Sequence, residues 1–122
     1  MLDFEKLNNL FKSTLYQKIS RSKNVRREMR FNILVDGEQI NSCAKGEKIL
    51  IQGVIDCFFE NPDGSYTVVD FKTDHVHSED ILISRHHQQL DFYSYAVEDM
   101  TSQKVSEKII YSFEMSREIY LP

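Results

Sequence analysis

Two carboxylates and a lysine stand out in the segment GVIDCFFENPDGSYTVVDFKTD, residues 53–74. Asp56 precedes a strong turn signal, and Asp70-Phe71-Lys72 follows it. Pro62-Asp63-Gly64 suits a three-residue hairpin loop, a type I turn begun by Pro and closed by Gly in the left-handed conformation. A loop centred on Asp63 pairs Glu60 with Tyr66, Phe58 with Val68 and Asp56 with Asp70. Directly opposed side chains share a face with Cβ atoms about 4.5–5.5 Å apart, and the strand period of two adds Lys72 to that face. A one-residue slip would break the cluster. Opposed carboxylates repel each other and are costly to desolvate. A hard divalent cation offsets that cost, since Mg²⁺ takes one or two protein carboxylates plus waters and phosphate oxygens. The alternative is a structural ion cluster in which Lys72 alone neutralises the pair. Beside a metal, a lysine can hold or help deprotonate an attacking water and neutralise transition-state charge, while the metal activates water and stabilises the leaving oxygen. This set points to phosphodiester hydrolysis more readily than to acyl transfer. There is no Ser-His-Asp order, and with only four glycines there is no Gly-rich phosphate loop, so no ATP site is expected within the chain.

These residues need a sheet to hold them. Phe4, Leu7, Phe11, Leu15 and Ile19 recur at three- and four-residue steps, which predicts an amphipathic helix or two short ones. Val25 to Val35 reads as a strand ending at Asp36-Gly37, Ile49 to Glu60 as a long strand, and Tyr66 to Thr73 as another. A polar loop follows Asp74. Ser84 is the expected cap of a helix running to about Met100, with Leu90, Tyr93, Val97 and Met100 on one face. Val105 to Phe113 and Glu118 to Leu121 complete the strands around Met115-Ser116-Arg117. The order predicts a mixed α+β or α/β sheet with helical cover.

The 122 residues make one small domain. Apolar residues are 41% and charged residues 28%, an ordinary globular balance. No apolar run reaches the roughly 20 residues of a membrane span. The start MLDFEKLNNL lacks the basic cluster and apolar block of a signal peptide, so a cytoplasmic protein is expected. Cys43 and Cys57 are too few for a disulfide framework and lack metal spacing; Cys57 reads as a small core residue. The net charge of −4 disfavours a free-standing DNA binder. Charge is uneven, however: Lys18, Arg21, Lys23, Arg26, Arg27 and Arg30 cluster with only Glu28 opposing them. That run is either a solvated face or an edge for phosphate or a partner.

Asp56, the turn and Asp70-Phe71-Lys72 resemble the split acid and D/E-x-K signature of the PD-(D/E)XK nuclease superfamily. Arg27-Glu28 followed by Phe31, then ILIQGVIDCFFE, VVDFKTD and Gln89-Leu90-Asp91-Phe92-Tyr93, resemble its RecB-type branch and, within it, the C-terminal nuclease domain of AddA-type helicase–nuclease subunits. D-x-K alone is weak evidence; G-x-x-D, DFKTD and QLxxY in this order and spacing are specific together. The resemblance covers the chain from about Val25 to its end. It implies a restriction-endonuclease-like core, a mixed central sheet with an antiparallel hairpin flanked by helices. It also implies Mg²⁺ or Mn²⁺ on Asp56, Asp70 and the backbone carbonyl of Phe71, with Lys72 as catalytic lysine. Gln89 and Tyr93 match a Q-x-x-x-Y motif that positions DNA, and their i, i+4 spacing independently puts them on one helical face. Glu28 matches an acid on the first strand, expected to support the site through a metal-bound water or through Lys72, or else to serve as a structural partner for the basic run.

The branch carries a metal-binding histidine on an upstream helix, and no match to it is visible; His75, His77, His86 and His87 all lie downstream of the acids. The chain is therefore read as a truncated C-terminal piece of a longer helicase–nuclease, with weak metal binding and low activity of its own. Apolar surface left bare by the missing helix would favour a homodimer. The resemblance implies single-stranded DNA delivered by a helicase motor, an AddB-like partner subunit, bacterial double-strand break processing and a nucleoid-associated cytoplasmic setting. Two other readings stay open: a weak or inactive DNA- or partner-docking module of the same fold, and another PD-(D/E)XK exonuclease.

Overall fold

The computed structural model describes residues 3–40, 43 and 45–122. Two short helices, α1 (Phe4–Phe11) and α2 (Thr14–Arg21), lead into strand β1 (Val25–Asp36). A 3₁₀ turn (Gly37–Gln39), β2 (Lys48–Glu60) and β3 (Tyr66–Lys72) follow, then helix α3 (Glu79–Thr101), β4 (Val105–Ser112) and β5 (Arg117–Leu121). The strands form one sheet in the order β1-β2-β3-β4-β5. All neighbours are antiparallel except β3 and β4, which run parallel. Parallel neighbours need a long crossover, and the 23 residues of α3 supply it.

Alternation along the strands sends side chains to two cores. Phe31, Ile33, Val35, Phe58 and Val68 pack with Tyr93, Ala96 and Val97 of α3. Cys57, Phe59, Val69, Ile109 and Tyr111 pack with Leu10, Leu15 and Ile19 of α1 and α2. A third group joins Leu82 and Leu90 of α3 to Ile110 and Ile119. The chain is thus a three-layer mixed α/β domain with helices on both faces, the restriction-endonuclease-like arrangement. Ile109 and Ile110 are both fully buried, as expected of a strand covered on both sides.

The expected strands are present within a residue or two. Two helical expectations are corrected, and of the two N-terminal alternatives the pair of short helices is the one formed. α3 begins at Glu79, not after Ser84: the Ser78 side chain accepts the Ile81 N–H, Glu79 and Asp80 favour the first turn, and Leu82 is fully buried. Met100 is exposed rather than on the core face. The N-terminal stretch is two helices, because Ser13 caps a new one by accepting from Tyr16 N and donates its own hydroxyl to Leu10 O. In α1 the buried residue is Leu10, while Phe4, Leu7 and Phe11 lie open.

One irregularity shapes the rest of the molecule. The β1–β2 ladder pairs Arg27 with Cys57 and Met29 with Ile55, omitting Glu28 and Asp56. Ile55 and Phe58 belong to the same core although three residues apart, so the alternation of β2 inverts across Asp56. Opposite it, Glu28 has a left-handed backbone, with φ at 52°. Val25 packs toward α1 and α2 while Met29 packs toward α3, so β1 inverts at the same level.

Candidate active site

The hairpin register expected from the Pro62-Asp63-Gly64 turn is the one formed. Glu60 pairs with Tyr66, Phe58 with Val68 and Cys57 with Val69, and Gly64 takes the left-handed conformation, φ 90°. The described ladder ends there. Asp56 does not meet Asp70 as a regular cross-strand pair. Its Oδ2 instead accepts the backbone N–H of Phe71 at 2.9 Å, replacing a ladder bond with a side-chain one. The two carboxylates still come together, through a break in the sheet rather than through uniform alternation.

Asp70 is 2% exposed, whereas Asp56 is half-buried. Lys72 Nζ lies 2.9 Å from Asp70 Oδ2, but without the alignment of a hydrogen bond, and this buried oxygen has no hydrogen-bond partner. The same amine donates to Gln89 Oε1 at 3.1 Å. Burial and the adjacent Asp56 push the Asp70 carboxyl well above the ordinary carboxylate range, and Lys72 only partly offsets them. The Tyr93 hydroxyl is pushed up to about 12, by burial first and then by the charges of Asp70 and Asp56. Asp56, Asp70, Lys72, Gln89 and Tyr93 therefore form one neighbourhood.

Two supports hold it. Phe71 turns to the opposite face, where its ring centroid lies 6.3 Å from that of Tyr111 and 6.0 Å from that of Phe113. Tyr93 stands edge-on to Phe31 at 5.5 Å. Gly53, three residues before Asp56, lies beneath that pair: a Cβ there would meet the Phe31 ring at 2.9 and 3.0 Å and Tyr93 at 3.7 Å. Gly53→Ala is accordingly expected to cost about 1–3 kcal/mol, the usual penalty for overpacking. A urea midpoint unchanged by it would show that the ring simply moves aside.

Other expected residues fall differently. Glu28 is exposed, and among the described residues no hydrogen bond or ion pair joins it to Asp56, Asp70 or Lys72. His75 and His77 are exposed, but each approaches a different oxygen of Glu114, at 3.1 and 3.3 Å. His86 Nε2 lies 3.0 Å from Asp74 Oδ2, which also accepts from Arg85 at 3.1 Å. Cys57 is buried, which pushes its thiol up to about 11 and argues against a nucleophilic role. The basic run divides: Lys18, Arg21 and Lys23 line a hollow of about 670 Å³ between α2 and the β2–β3 hairpin, on the face away from α3.

Asp74 is the residue that sequence reasoning missed as part of the site's frame. It ends DFKTD, two positions after Lys72, and fastens the exit of β3 to α3 one turn before Gln89. The second acid of DFKTD was the available signal. Asp74→Ala is expected to lower turnover about tenfold by loosening Gln89 against Lys72, a displacement of the size that costs catalysis, with far-ultraviolet circular dichroism unchanged. Full activity in that variant would remove Asp74 from the frame.

The donors present suit a hard divalent cation. A buried carboxylate oxygen without a hydrogen bond lies beside a second carboxylate that has one oxygen tied. Among the described residues, no three His, Cys, Asp or Glu side chains group to hold a metal. Any such ion would draw its remaining ligands from backbone, water or substrate.

The profile of the PD-(D/E)XK nuclease superfamily matches residues 5–121. The chain belongs to that superfamily. Its relatives include proteins named as subunits of an ATP-dependent helicase/nuclease. That of Clostridium novyi (strain NT) is 34% identical over 125 residues, covering 97% of this chain and 10% of the relative. That of Carboxydothermus hydrogenoformans is 40% identical over 124 residues, covering 98% and 10%. That of Thermoanaerobacter sp. (strain X514) is 37% identical over 118 residues, covering 92% and 10%. The chain thus spans about a tenth of the length of these relatives. Asp56 and Asp70-Phe71-Lys72 lie within the matched residues. No helix among the described residues is long and apolar enough to cross a membrane.

Proposed function

We propose that this chain is the nuclease domain of an AddA-like helicase–nuclease and hydrolyses phosphodiester bonds in DNA with Mg²⁺ or Mn²⁺. The observation that carries the reading is the Asp70 oxygen, buried and without a hydrogen bond, between Asp56 and the Lys72 amine. Asp56 through its free oxygen, Asp70, and the backbone carbonyl of Phe71 would hold the cation. When bound, the cation supplies charge to activate water and to stabilise the leaving oxygen.

The chain's own residues do the rest. Lys72 is placed to hold the attacking water and to neutralise charge building on the phosphate; to take that water's proton its amine first sheds its own to solvent. Gln89 fixes the amine through its Oε1. Tyr93 presents a neutral hydroxyl rather than a charge toward the strand. The larger setting is part of the same proposal: a motor that feeds single-stranded DNA, an AddB-like partner that completes the channel, exonucleolytic processing of double-strand breaks in a bacterial cytoplasm, and Glu28 acting through water. The acidic net charge of −4 agrees with DNA being delivered rather than captured.

A second reading, a weakly active docking module of the same fold, is favoured by the lack of a three-residue metal cluster among the described residues. The test is cleavage of single-stranded DNA with Mn²⁺ or Mg²⁺, run beside Asp70→Ala and Lys72→Ala. Metal-dependent cutting lost in both variants supports the proposal. Cutting that survives in either sinks the mechanism, and none by the wild type at any metal concentration favours the docking module.

A further inference from the structure

A hollow of about 300 Å³ opens between the β1–β2 hairpin and α3. It is lined by Phe31, Gly53 and Phe92 together with Gln52, Gln88 and Arg85, and it shares Gln89 and Tyr93 with the catalytic neighbourhood. Phe31 and Tyr93 are buried, so they form its floor; Phe92 is half-buried at its side. Gln52, Gln88 and Arg85 are exposed and stand at the rim.

We infer that this hollow receives one unstacked nucleobase of single-stranded DNA, next to the phosphate that Lys72 addresses. The inference rests on the nuclease reading for its location and goes further in naming what the substrate must present. Aromatic side chains stack on bases of any identity, because every base has a π-face. Gln52 and Gln88 each carry a donor and an acceptor, the pairing that a base edge offers in return. A phosphate would ask for positive charge, and the single cation here, Arg85, already pairs with Asp74 at 3.1 Å. Gly53 lets the Phe31 ring lie directly against its backbone, where a Cβ would meet that ring at 2.9 Å, and so seats the ring as part of the floor. The hollow is also continuous with the reactive amine, because Gln89 both lines it and accepts from Lys72 at 3.1 Å. A duplex keeps its bases paired and stacked, so occupancy requires unpaired DNA, and the pocket itself then selects single strands.

Binding can be tested without cleavage. Fluorescence anisotropy in Ca²⁺ would compare a labelled oligothymidylate with an abasic strand of equal length. The abasic strand is expected to bind at least about fivefold more weakly, the loss of one stacked base. Phe92→Leu should erase that difference, and the exposed pair Gln52→Ala with Gln88→Ala should reduce it, with circular dichroism and thermal midpoint reporting that each variant folds. Equal affinity of the wild type for both strands overturns the inference. So does an equal loss for both strands in the variants, which would mark a backbone groove, and so does binding of neither strand. Base-dependent binding in a protein that never cuts would uphold the pocket while sinking the nuclease reading; cutting without base-dependent binding would do the reverse.

Discussion

Asp70→Asn is expected to make the metal-free chain more stable at pH 7 while abolishing metal-dependent cleavage. In the folded chain the Asp70 carboxyl keeps its proton to higher pH than in the unfolded chain, because burial and Asp56 oppose its charge. Between the unfolded value, about 3.9, and the raised folded one, the folded state therefore binds more protons. Stability falls as pH rises through that window, and the full loss is in place above it. An amide does not ionise, so the variant escapes the loss, by on the order of 1–3 kcal/mol. Lys72 keeps Gln89 as a partner when its carboxylate is gone. The quantity to read is the difference between wild type and variant. Thermal midpoints in chelator at pH 5 and pH 8 should diverge, the variant gaining at pH 8. Mn²⁺ should then raise the wild-type midpoint and leave the variant unmoved. Parallel curves for the two proteins would mean that Asp70 ionises without penalty.

Lys72→Ala should lower cleavage at least about a hundredfold, the scale of a lost proton-transfer or charge-stabilising group. Both carboxylates remain, so Mn²⁺ binding should stay within a few-fold, and the defect should appear in kcat rather than in the metal concentration needed. The same change should move the Asp70 titration upward, because Lys72 is the group that pulls it down. Lys72→Arg restores charge but not a proton acceptor, since guanidinium stays protonated. Rescue by Arg would assign Lys72 an electrostatic role alone; no rescue would support its part in proton transfer. An unchanged rate in Lys72→Ala would leave the amine as no more than a counter-ion.

The hairpin was legible because turn chemistry fixes register: Pro62, Asp63 and Gly64 set the pairs from Glu60–Tyr66 to Cys57–Val69. Lys72 followed from the strand period of two, whereas Gln89 and Tyr93 came from the family resemblance, their spacing of four adding only that they share a helical face. The junction itself was not legible. Nothing local in Asp56 or Glu28 announces that both strands invert there, since neither is Gly or Pro, and the inversion emerges only from which core each neighbour fills. The start of α3 was missed because His75-Val76-His77-Ser78 reads as loop and Glu79-Asp80 as its continuation. Leu82, buried across the sheet from α1 and α2, decides otherwise. Asp74 escaped because its partners, Arg85 and His86, lie on a helix eleven and twelve residues away.

The left-handed residue in β1 reaches beyond chemistry. β1 is an edge strand of 12 residues, long enough to serve as a template for another chain. At Glu28 the backbone is left-handed, and Arg26, Arg27, Glu28 and Arg30 meet solvent around it. A charged margin interrupted by a left-handed residue is a poor template for a neighbouring strand. The same distortion that lets Asp56 leave its ladder thus guards the protein against aggregation, so substitutions chosen to regularise that strand would be felt in solubility as well as in catalysis.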